Sequence, residues 1–212
     1  MKSVLIVGAG QFGIHIAKRM EKLSCEIMAV DNDEERVNAI LPYVTNAQIG
    51  DSTNADFMNS LGISDYDVCI VTISGSFQDS LETTALLKEL GAHKIVSRAQ
   101  NDVQEKFLLR NGADETVYPE KQTAYRLAIK EASDDILDVF RLDRNINIYE
   151  IRVPEDWCDM TIAQLDIRRK YNLNIIAVKT SGQLVLPTPD MILESDDAIL
   201  LLGNMKDLQK VL

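Results

Sequence analysis

The sequence is short of cysteine and of basic residues, and each shortage excludes a class of protein. Its three cysteines, Cys25, Cys69 and Cys158, lie far apart and form no Cys-x-x-Cys pair. This spacing argues against a disulfide framework or a thiolate zinc site and favours a reducing cytoplasm. The 212 residues include 22 Lys and Arg against 33 Asp and Glu, a net charge of −11. Nucleic acid and anionic membrane surfaces are bound by clustered Lys and Arg, so neither is an expected partner.

Long apolar runs are missing as well. No window approaches the roughly 18 apolar residues that a membrane-spanning helix needs. The first ten residues hold one Lys and a short apolar run that ends in glycines, which is typical of a first strand rather than of a signal peptide. We therefore expect a soluble protein without direct membrane insertion, for which any role at a membrane comes through a partner.

What the sequence does contain, up to about residue 118, is a regular alternation of short apolar runs and helix-like segments. The runs are residues 3–7, 26–30, 46–50, 68–73, 94–98 and 116–118. Unbroken apolar runs of this length are typical of strands that are buried on both faces of a parallel sheet. The alternation predicts an α/β fold, a Rossmann-like doubly wound parallel sheet, over residues 1–118.

The rest of the chain predicts a bridging helix and a second, smaller domain. Residues 119–143 are interpreted as a crossover or linker helix, with one amphipathic helix over residues 121–140, because no Gly or Pro interrupts residues 121–152. A helix of this length at a domain edge is expected to reach the next domain or a second subunit. Residues 144–212 predict a small α+β domain of order βαβββα, which opens with a strand of alternating apolar and polar residues.

The strongest signal for chemistry is a glycine-rich turn that follows the first predicted strand and opens the first helix. The turn consists of Gly8, Ala9, Gly10, Gln11, Phe12 and Gly13. In this pattern the first glycine permits the tight turn, the second lets backbone N–H groups approach a phosphate, and the third allows the helix to pack closely on the strand. The phosphate lies at the helix N-terminus, where free N–H groups and the helix dipole favour an anion.

An acid stands where a ribose ligand is expected. Asp31 ends the second predicted strand, at about the spacing from the glycine turn that places a carboxylate beside the ribose hydroxyls. The ordered strand, turn, helix, strand and acid favour a nucleotide site over a glycine-rich turn beside a solvated Asp. No Arg follows Asp31 directly, which disfavours the 2′-phosphate of NADP.

Further candidate ligands follow the other strands, because ligands of such sheets bind beyond the carboxyl ends of the strands. Asp51 and Ser52 can meet an adenine amino group, although Ser52 or Thr53 can equally cap the next helix. The other candidates are Ile73 and Ser74 after the fourth strand, Arg98 at the end of the fifth as a phosphate ligand, and Glu120 as a ligand of a phosphate-bound cation. Alternatively, Arg98 extends to the surface and Glu120 complements a helix dipole.

The sequence offers little that would catalyse a reaction. A dehydrogenase needs an acid or base beside the nicotinamide, yet neither of the two histidines, His15 and His93, stands at a predicted strand end. No GxxxxGK[ST] loop is present for nucleotide hydrolysis. We therefore expect a sensor and no enzyme, with a small NAD-dependent oxidoreductase as the alternative. A DNA-binding redox repressor is disfavoured by the acidic charge and the lack of a winged-helix segment.

The assembled motifs resemble the RCK (regulator of potassium conductance) family over nearly the whole chain. The motifs are GAGQFG, VDND, GDST, VSRAQN and GADETVYPEK, followed by the C-terminal stretch from TIAQLDIRRKYN to AILLLG. The chain is similar to the cytosolic regulatory subunits of Trk and Ktr potassium-uptake systems. The resemblance implies a homodimer that assembles into an octameric ring beneath a membrane-embedded channel subunit, at the inner face of the cell membrane. It also implies that exchange of ATP for ADP, or of NADH for NAD, reshapes the ring.

The resemblance also assigns roles within the nucleotide site. It places residues 8–13 at the phosphates, Asp31 with Asn32 at the ribose and Asp51 with Ser52 at the adenine, with Ile73, Ser74 and Arg98 completing the site. Members of the family that bind ATP tightly often have Arg where this chain has Gln11, so NAD(H), ADP and AMP stay open beside ATP. Glu120 matches a carboxylate that helps to hold Mg²⁺ or another cation at the dimer interface.

A second ligand, cyclic di-AMP, binds the C-terminal domain of some bacterial Ktr subunits. The matching positions are Ile162, Ile167, Arg168, Asn174, Ile175 and Pro187. The alternative for these residues is ordinary packing of a helix face and a strand within a small domain.

Overall fold

The computed structural model describes residues 1–143 and 145–212. The chain divides into two compact units, Met1–Glu120 and Lys121–Leu212. The predicted start of the last domain, residue 144, lies outside the described residues.

The first unit contains a six-stranded parallel sheet of order β3-β2-β1-β4-β5-β6. Its strands are β1 Ser3–Val7, β2 Glu26–Asp31, β3 Asn46–Ile49, β4 Val68–Val71, β5 Ile95–Arg98 and β6 Glu115–Val117. Its helices are α1 Gln11–Glu21, α2 Glu34–Ile40, α3 Ala55–Ser60, α4 Phe77–Glu89 and α5 Asp102–Arg110, with short 3-10 turns at Leu41–Tyr43 and Ile63–Asp65. The predicted Rossmann-like sheet is confirmed.

The central strand β1 explains why this sheet is covered on both faces. Val4, Leu5, Ile6 and Val7 are at most 1% exposed. Leu5 and Val7 pack into one apolar cluster, whereas Val4 and Ile6 pack into another. Because alternate side chains of a strand point to opposite faces, the unbroken apolar run is satisfied only by helices on both sides. All six strands run parallel, so their carboxyl ends meet at one edge.

The second unit is built on a five-stranded antiparallel sheet of order β10-β9-β11-β8-β7. The strands are β7 Ile136–Arg141, β8 Asn147–Arg152, β9 Asn174–Thr180, β10 Gln183–Val185 and β11 Ala198–Gly203. The helices are α6 Pro119–Glu131, which begins just before the unit, α7 Ile162–Leu165, α8 Ile167–Tyr171 and α9 Met205–Leu208, with a 3-10 turn at Glu155–Trp157. One face of the sheet packs Tyr149, Ile151 and Leu201 against Trp157 and Leu165. The predicted small α+β domain is confirmed.

The predicted long helix over residues 121–140 is wrong in its second half. The helix ends at Glu131, and residues 136–141 form strand β7 instead. Between them the backbone turns, and the N–H of Ile136 donates to the Ser133 carbonyl oxygen at 3.2 Å. Ile136 and Val139 are then buried in the core. The absence of Gly and Pro permits a helix, but pairing with β8 and burial of apolar side chains favour the strand here.

Two helix starts show how side chains cap the backbone. Thr161 caps α7 in a capping box with Gln164. Asp166, which adopts a left-handed conformation with φ 45°, separates α7 from α8. The cap predicted at Ser52 or Thr53 is wrong: α3 is capped by Asn54, whose side chain accepts from the Phe57 N–H at 3.0 Å.

Asp207 should make the second unit sensitive to acid. Hydrogen bonds from Lys210, Asn172 and Asn204 lower the pKa of its carboxyl from 3.8 to about 2. The folded-state pKa is therefore below the unfolded one, so the stabilisation is full above about pH 4 and is lost as the pH falls towards 2. We expect Asp207→Asn to have a lower free energy of unfolding than the parent at pH 6. Its free energy of unfolding should also fall less than that of the parent as the pH is lowered.

Urea unfolding followed by the fluorescence of Trp157, the single tryptophan, measures this effect in the right unit. Asp196→Asn removes the same charge at an exposed position and serves as the control. Parallel pH profiles for the parent and Asp207→Asn would contradict the assignment.

Candidate functional site

The glycine turn after β1 has the geometry that its sequence requires. Gly8 adopts φ +105°, and a Cβ atom there would lie 2.7 Å from the Thr72 Oγ1 atom. A Cβ atom on Gly13 would lie 2.2 Å from the Gly8 carbonyl oxygen, so α1 packs directly on the turn. Thr72, which follows β4, donates a 2.5 Å hydrogen bond to that same oxygen. At Gly10 no atom lies within 4 Å of the added Cβ, so the space beside this residue is open.

Helix α1 begins in this turn with its first N–H groups available to a ligand. Gly10 is the N-cap residue and supplies no side-chain hydrogen bond, and the first turn contains no acidic residue. The basic residues Lys18 and Arg19 lie in the last turn instead. Free N–H groups and the positive end of the helix dipole make such a terminus a site for phosphate.

Asp31 is fixed beside this turn by two backbone hydrogen bonds. Its Oδ2 atom accepts from the Ala9 N–H at 2.7 Å, and its Oδ1 atom accepts from the Asp33 N–H at 3.0 Å. The residue is only 7% exposed, yet it lines the cleft described below. A carboxylate has about four acceptor positions, so each oxygen keeps a lone pair for a further donor. The carboxylate can therefore hold the turn and accept two hydroxyl groups together.

A cleft of about 170 Å³ lies at the carboxyl ends of the strands. The candidate site residues that line it are Gly8, Gly10, Asp31, Asn32, Asp51, Ser52, Ile73 and Ser74. The topology brings them together, because β1, β2, β3 and β4 are neighbours in one sheet and end at one edge. The candidates outside this lining are Ala9, Gln11, Phe12, Gly13, Arg98 and Glu120.

Asp51 and Ser52 differ in what they offer to a ligand. The Oδ1 atom of Asp51 accepts from both the N–H and the hydroxyl of Thr53, at 2.9 and 2.7 Å. These two hydrogen bonds lower the pKa of Asp51 and leave its second oxygen available. Ser52 is buried, and its hydroxyl shares a 2.8 Å hydrogen bond with the Thr83 hydroxyl on α4. The side chain of Ser52 therefore holds α4, and the residue also lines the cleft.

Arg98 and Glu120 are paired with each other. The Arg98 guanidinium donates to the Glu120 carboxylate. It also lies 5.2 Å from the centre of the ring of Phe12, a residue of the glycine turn. The pKa of Glu120 is lowered by a hydrogen bond from its own backbone N–H and by Arg98. The buried Arg98 Nε atom has no hydrogen-bond partner within residues 1–143 and 145–212. Among the described residues, no group of three or more His, Cys, Asp or Glu could hold a metal ion.

Several residues of the cleft were not found by sequence reasoning. They are Val7, Val30, Arg36, Gly50, Thr72, Ser76 and Asp79. Arg36 lies on α2, where its Nε atom is 3.6 Å from the Asp33 carboxylate that caps the helix. Asp79 lies in the first turn of α4. Both residues lie at the start of a helix that follows a strand end, and this position could have identified them as cleft residues.

Comparison with known proteins decides the family. The TrkA-N domain model matches residues 4–119, and the TrkA-C domain model matches residues 148–212. The chain is 36% identical over 210 residues to the Ktr system potassium uptake protein C of Bacillus subtilis, with 99% of this chain and 95% of that protein covered. The chain belongs to the TrkA/KtrA family. Ktr system potassium uptake protein A of the same organism is 34% identical over an equal share of both chains.

The fold of the TrkA/KtrA chain is also that of solved channel structures. The structure titled GsuK Channel superposes with a TM-score of 0.71 at 20% identity, and the GsuK channel bound to NAD with 0.70 at 19%. Each match covers 98% of this chain and 38% of the channel chain, so the chain spans well under half of these structures. At this identity the likeness shows the fold alone. The resemblance to RCK proteins is confirmed.

The positions matched to cyclic di-AMP all lie in the second unit. Ile167 is 4% exposed and packs in the core, and Ile162 and Ile175 pack partly against it. Arg168 and Asn174 are exposed. The cyclic di-AMP site of the TrkA/KtrA chain stays a prediction. Within residues 1–143 and 145–212, no helix is both long enough and apolar enough to cross a bilayer.

Two glycines of the turn give a matched pair of variants. Gly10→Ala should fold with nearly unchanged stability, because its Cβ meets open space. It should bind ADP more weakly, because the added methyl group occupies space that the phosphates would fill. Gly13→Ala should lower the free energy of unfolding by about 2 kcal/mol or more, because its Cβ would overlap the Gly8 carbonyl oxygen. Thermal unfolding and ADP titration of both variants separate these effects. Equal loss of stability in both would contradict the described turn.

Proposed function

We propose that this chain is a cytosolic regulatory subunit of a potassium uptake system, and that it senses an adenosine nucleotide in the cleft of its first unit. The close relatives of the chain are named Ktr system potassium uptake proteins, and a non-enzymatic role fits this similarity. The observation that carries the proposal is the arrangement of three parts at one sheet edge. These parts are the open glycine turn, the free N-terminus of α1 and the buried Asp31 carboxylate.

Each part of an adenosine nucleotide has a counterpart in the cleft. The phosphates lie over Gly10 at the N-terminus of α1, where the N–H groups and the dipole stabilise negative charge. The ribose hydroxyls donate to Asp31, beside Asn32. The adenine lies towards Asp51, whose free oxygen can accept from the amino group. Ile73 and Ser74 close the cleft from the end of β4.

The charges around the cleft restrict which nucleotides it can bind. Asp31 lies where the 2′-phosphate of NADP would be, and a buried carboxylate repels that group. Gln11 supplies no positive charge for a terminal phosphate, so ADP, AMP and NAD(H) are favoured over ATP. A nucleotide whose phosphates reach Arg98 competes with Glu120 for the guanidinium. The released Glu120 carboxylate can then ligate Mg²⁺ or another cation.

In this proposal, nucleotide binding regulates potassium uptake through the oligomer that the chain forms. We propose that the chain forms a homodimer, that dimers form an octameric ring, and that the ring contacts a membrane-embedded Trk- or Ktr-type subunit at the inner face of the membrane. A nucleotide shifts the equilibrium between two ring shapes only by its difference in affinity for them. Cyclic di-AMP on the second unit would be an independent second signal.

Asp31→Ala tests the cleft. The variant should bind AMP, ADP and NADH at least about tenfold more weakly than the parent, because the ribose contact common to all three is lost. Calorimetric titration measures the affinities, and Asp65→Ala, which removes an exposed carboxylate remote from the cleft lining, is the control. Parent-like affinity of Asp31→Ala for ADP and NADH would show that the cleft is assigned wrongly.

The assembly is tested separately by light scattering at micromolar concentration. We expect an oligomer whose hydrodynamic radius differs between the ADP-bound and the NADH- or ATP-bound protein. A protein that is monomeric with and without every nucleotide would refute the regulatory ring while leaving nucleotide binding intact.

A further inference from the structure

Asp79 is a carboxylate of the cleft that the fold itself does not use. It is the third residue of α4, and its N–H donates to the hydroxyl of the N-cap residue Ser76 at 3.2 Å. In a complete capping box the third residue returns a side-chain bond to the N-cap N–H. Here that return bond is not made, and within residues 1–143 and 145–212 no group donates a hydrogen bond to the Asp79 carboxylate. Asp79 is one of the residues that line the cleft.

The packing of α4 places Asp79 on the same side of the cleft as Asp51. Thr83 lies one helical turn after Asp79 and therefore on the same face of α4. The Thr83 hydroxyl is fixed to the Ser52 hydroxyl, and both residues are buried. The face of α4 that carries Thr83 therefore also carries Asp79, which lines the cleft. Asp51, next to Ser52, lines the same cleft.

We propose that Asp79 is a second acceptor for the exocyclic amino group of the base, so that Asp51 and Asp79 together select 6-aminopurine nucleotides. This inference rests on the proposed function, which places the base at Asp51. The adenine amino group has two protons, and two carboxylates can accept one each in charge-assisted hydrogen bonds. Hypoxanthine and guanine carry a carbonyl oxygen at this position, which both carboxylates repel. Two acceptors therefore discriminate more strongly than Asp51 alone.

Titration with ADP and inosine diphosphate tests the role of Asp79, since the two ligands differ only at C6 and N1 of the base, where inosine carries a carbonyl oxygen and an N–H. The parent should prefer ADP by at least about tenfold. Asp79→Asn should weaken ADP binding by about tenfold. It should not weaken inosine diphosphate binding, because the substitution removes the repelling charge and the amide can donate to the carbonyl oxygen. Glu82→Gln, an exposed carboxylate change on the same helix, is the control and should leave both affinities unchanged.

The outcomes separate this inference from the proposed function. An ADP preference that is the same in the parent and in Asp79→Asn would overturn the role of Asp79 while the nucleotide site stands. If Asp79→Asn loses affinity for NAD⁺ but not for ADP, the role of Asp79 at the base would also be overturned, because Asp79 would then face the second ribose of NAD⁺. If the parent binds neither ADP nor NAD⁺, the proposed function fails and this inference fails with it. Thermal unfolding without ligand should be nearly identical for the parent and both variants, because the Ser76 cap is kept.

Discussion

The hydrogen bond from the Ala9 N–H to the buried Asp31 carboxylate is the interaction on which the candidate site depends. It ties the glycine turn to the end of the neighbouring strand β2, at 2.7 Å. The second oxygen of the same carboxylate accepts from the Asp33 N–H and thereby positions the start of α2. One carboxylate therefore sets the relative position of a phosphate-binding helix terminus and a ribose acceptor. A ligand that joins phosphate to ribose fits both sites without moving either.

Polar contacts within the core also connect the cleft to helix α4. Thr72 fixes the Gly8 carbonyl oxygen from the end of β4, and Ser52 holds α4 through Thr83. Helix α4 further contacts β5 through a hydrogen bond between the hydroxyls of Thr84 and Ser97, at 2.9 Å. Hydroxyl pairs of this kind are directional, unlike apolar packing, so they restrict how α4 can sit on the sheet. Through these two hydrogen bonds α4 joins the residues of the cleft to strand β5.

The fold and about half of the cleft lining could be predicted from sequence, because local pattern and long-range structure agree there. The apolar run of β1 is compatible only with a sheet that is covered on both faces, and Gly8 and Gly13 have no room for a side chain. Prediction failed where the two disagree: residues 136–141 carry no helix breaker, yet they form an edge strand because β8 offers a partner. The pairing of Arg98 with Glu120 is a contact that no spacing in the sequence reveals, and the contact of Arg98 with a phosphate stays a prediction.

Hydrogen–deuterium exchange of the backbone amides, with and without ADP, tests the central claim most directly. The first amides of α1, residues 11–13, have no cap in the free protein, and bound phosphate should protect them. The account predicts that saturating ADP slows exchange at residues 11–13 and at the end of β2. Binding of ADP that slows exchange elsewhere and leaves residues 11–13 unchanged would contradict it.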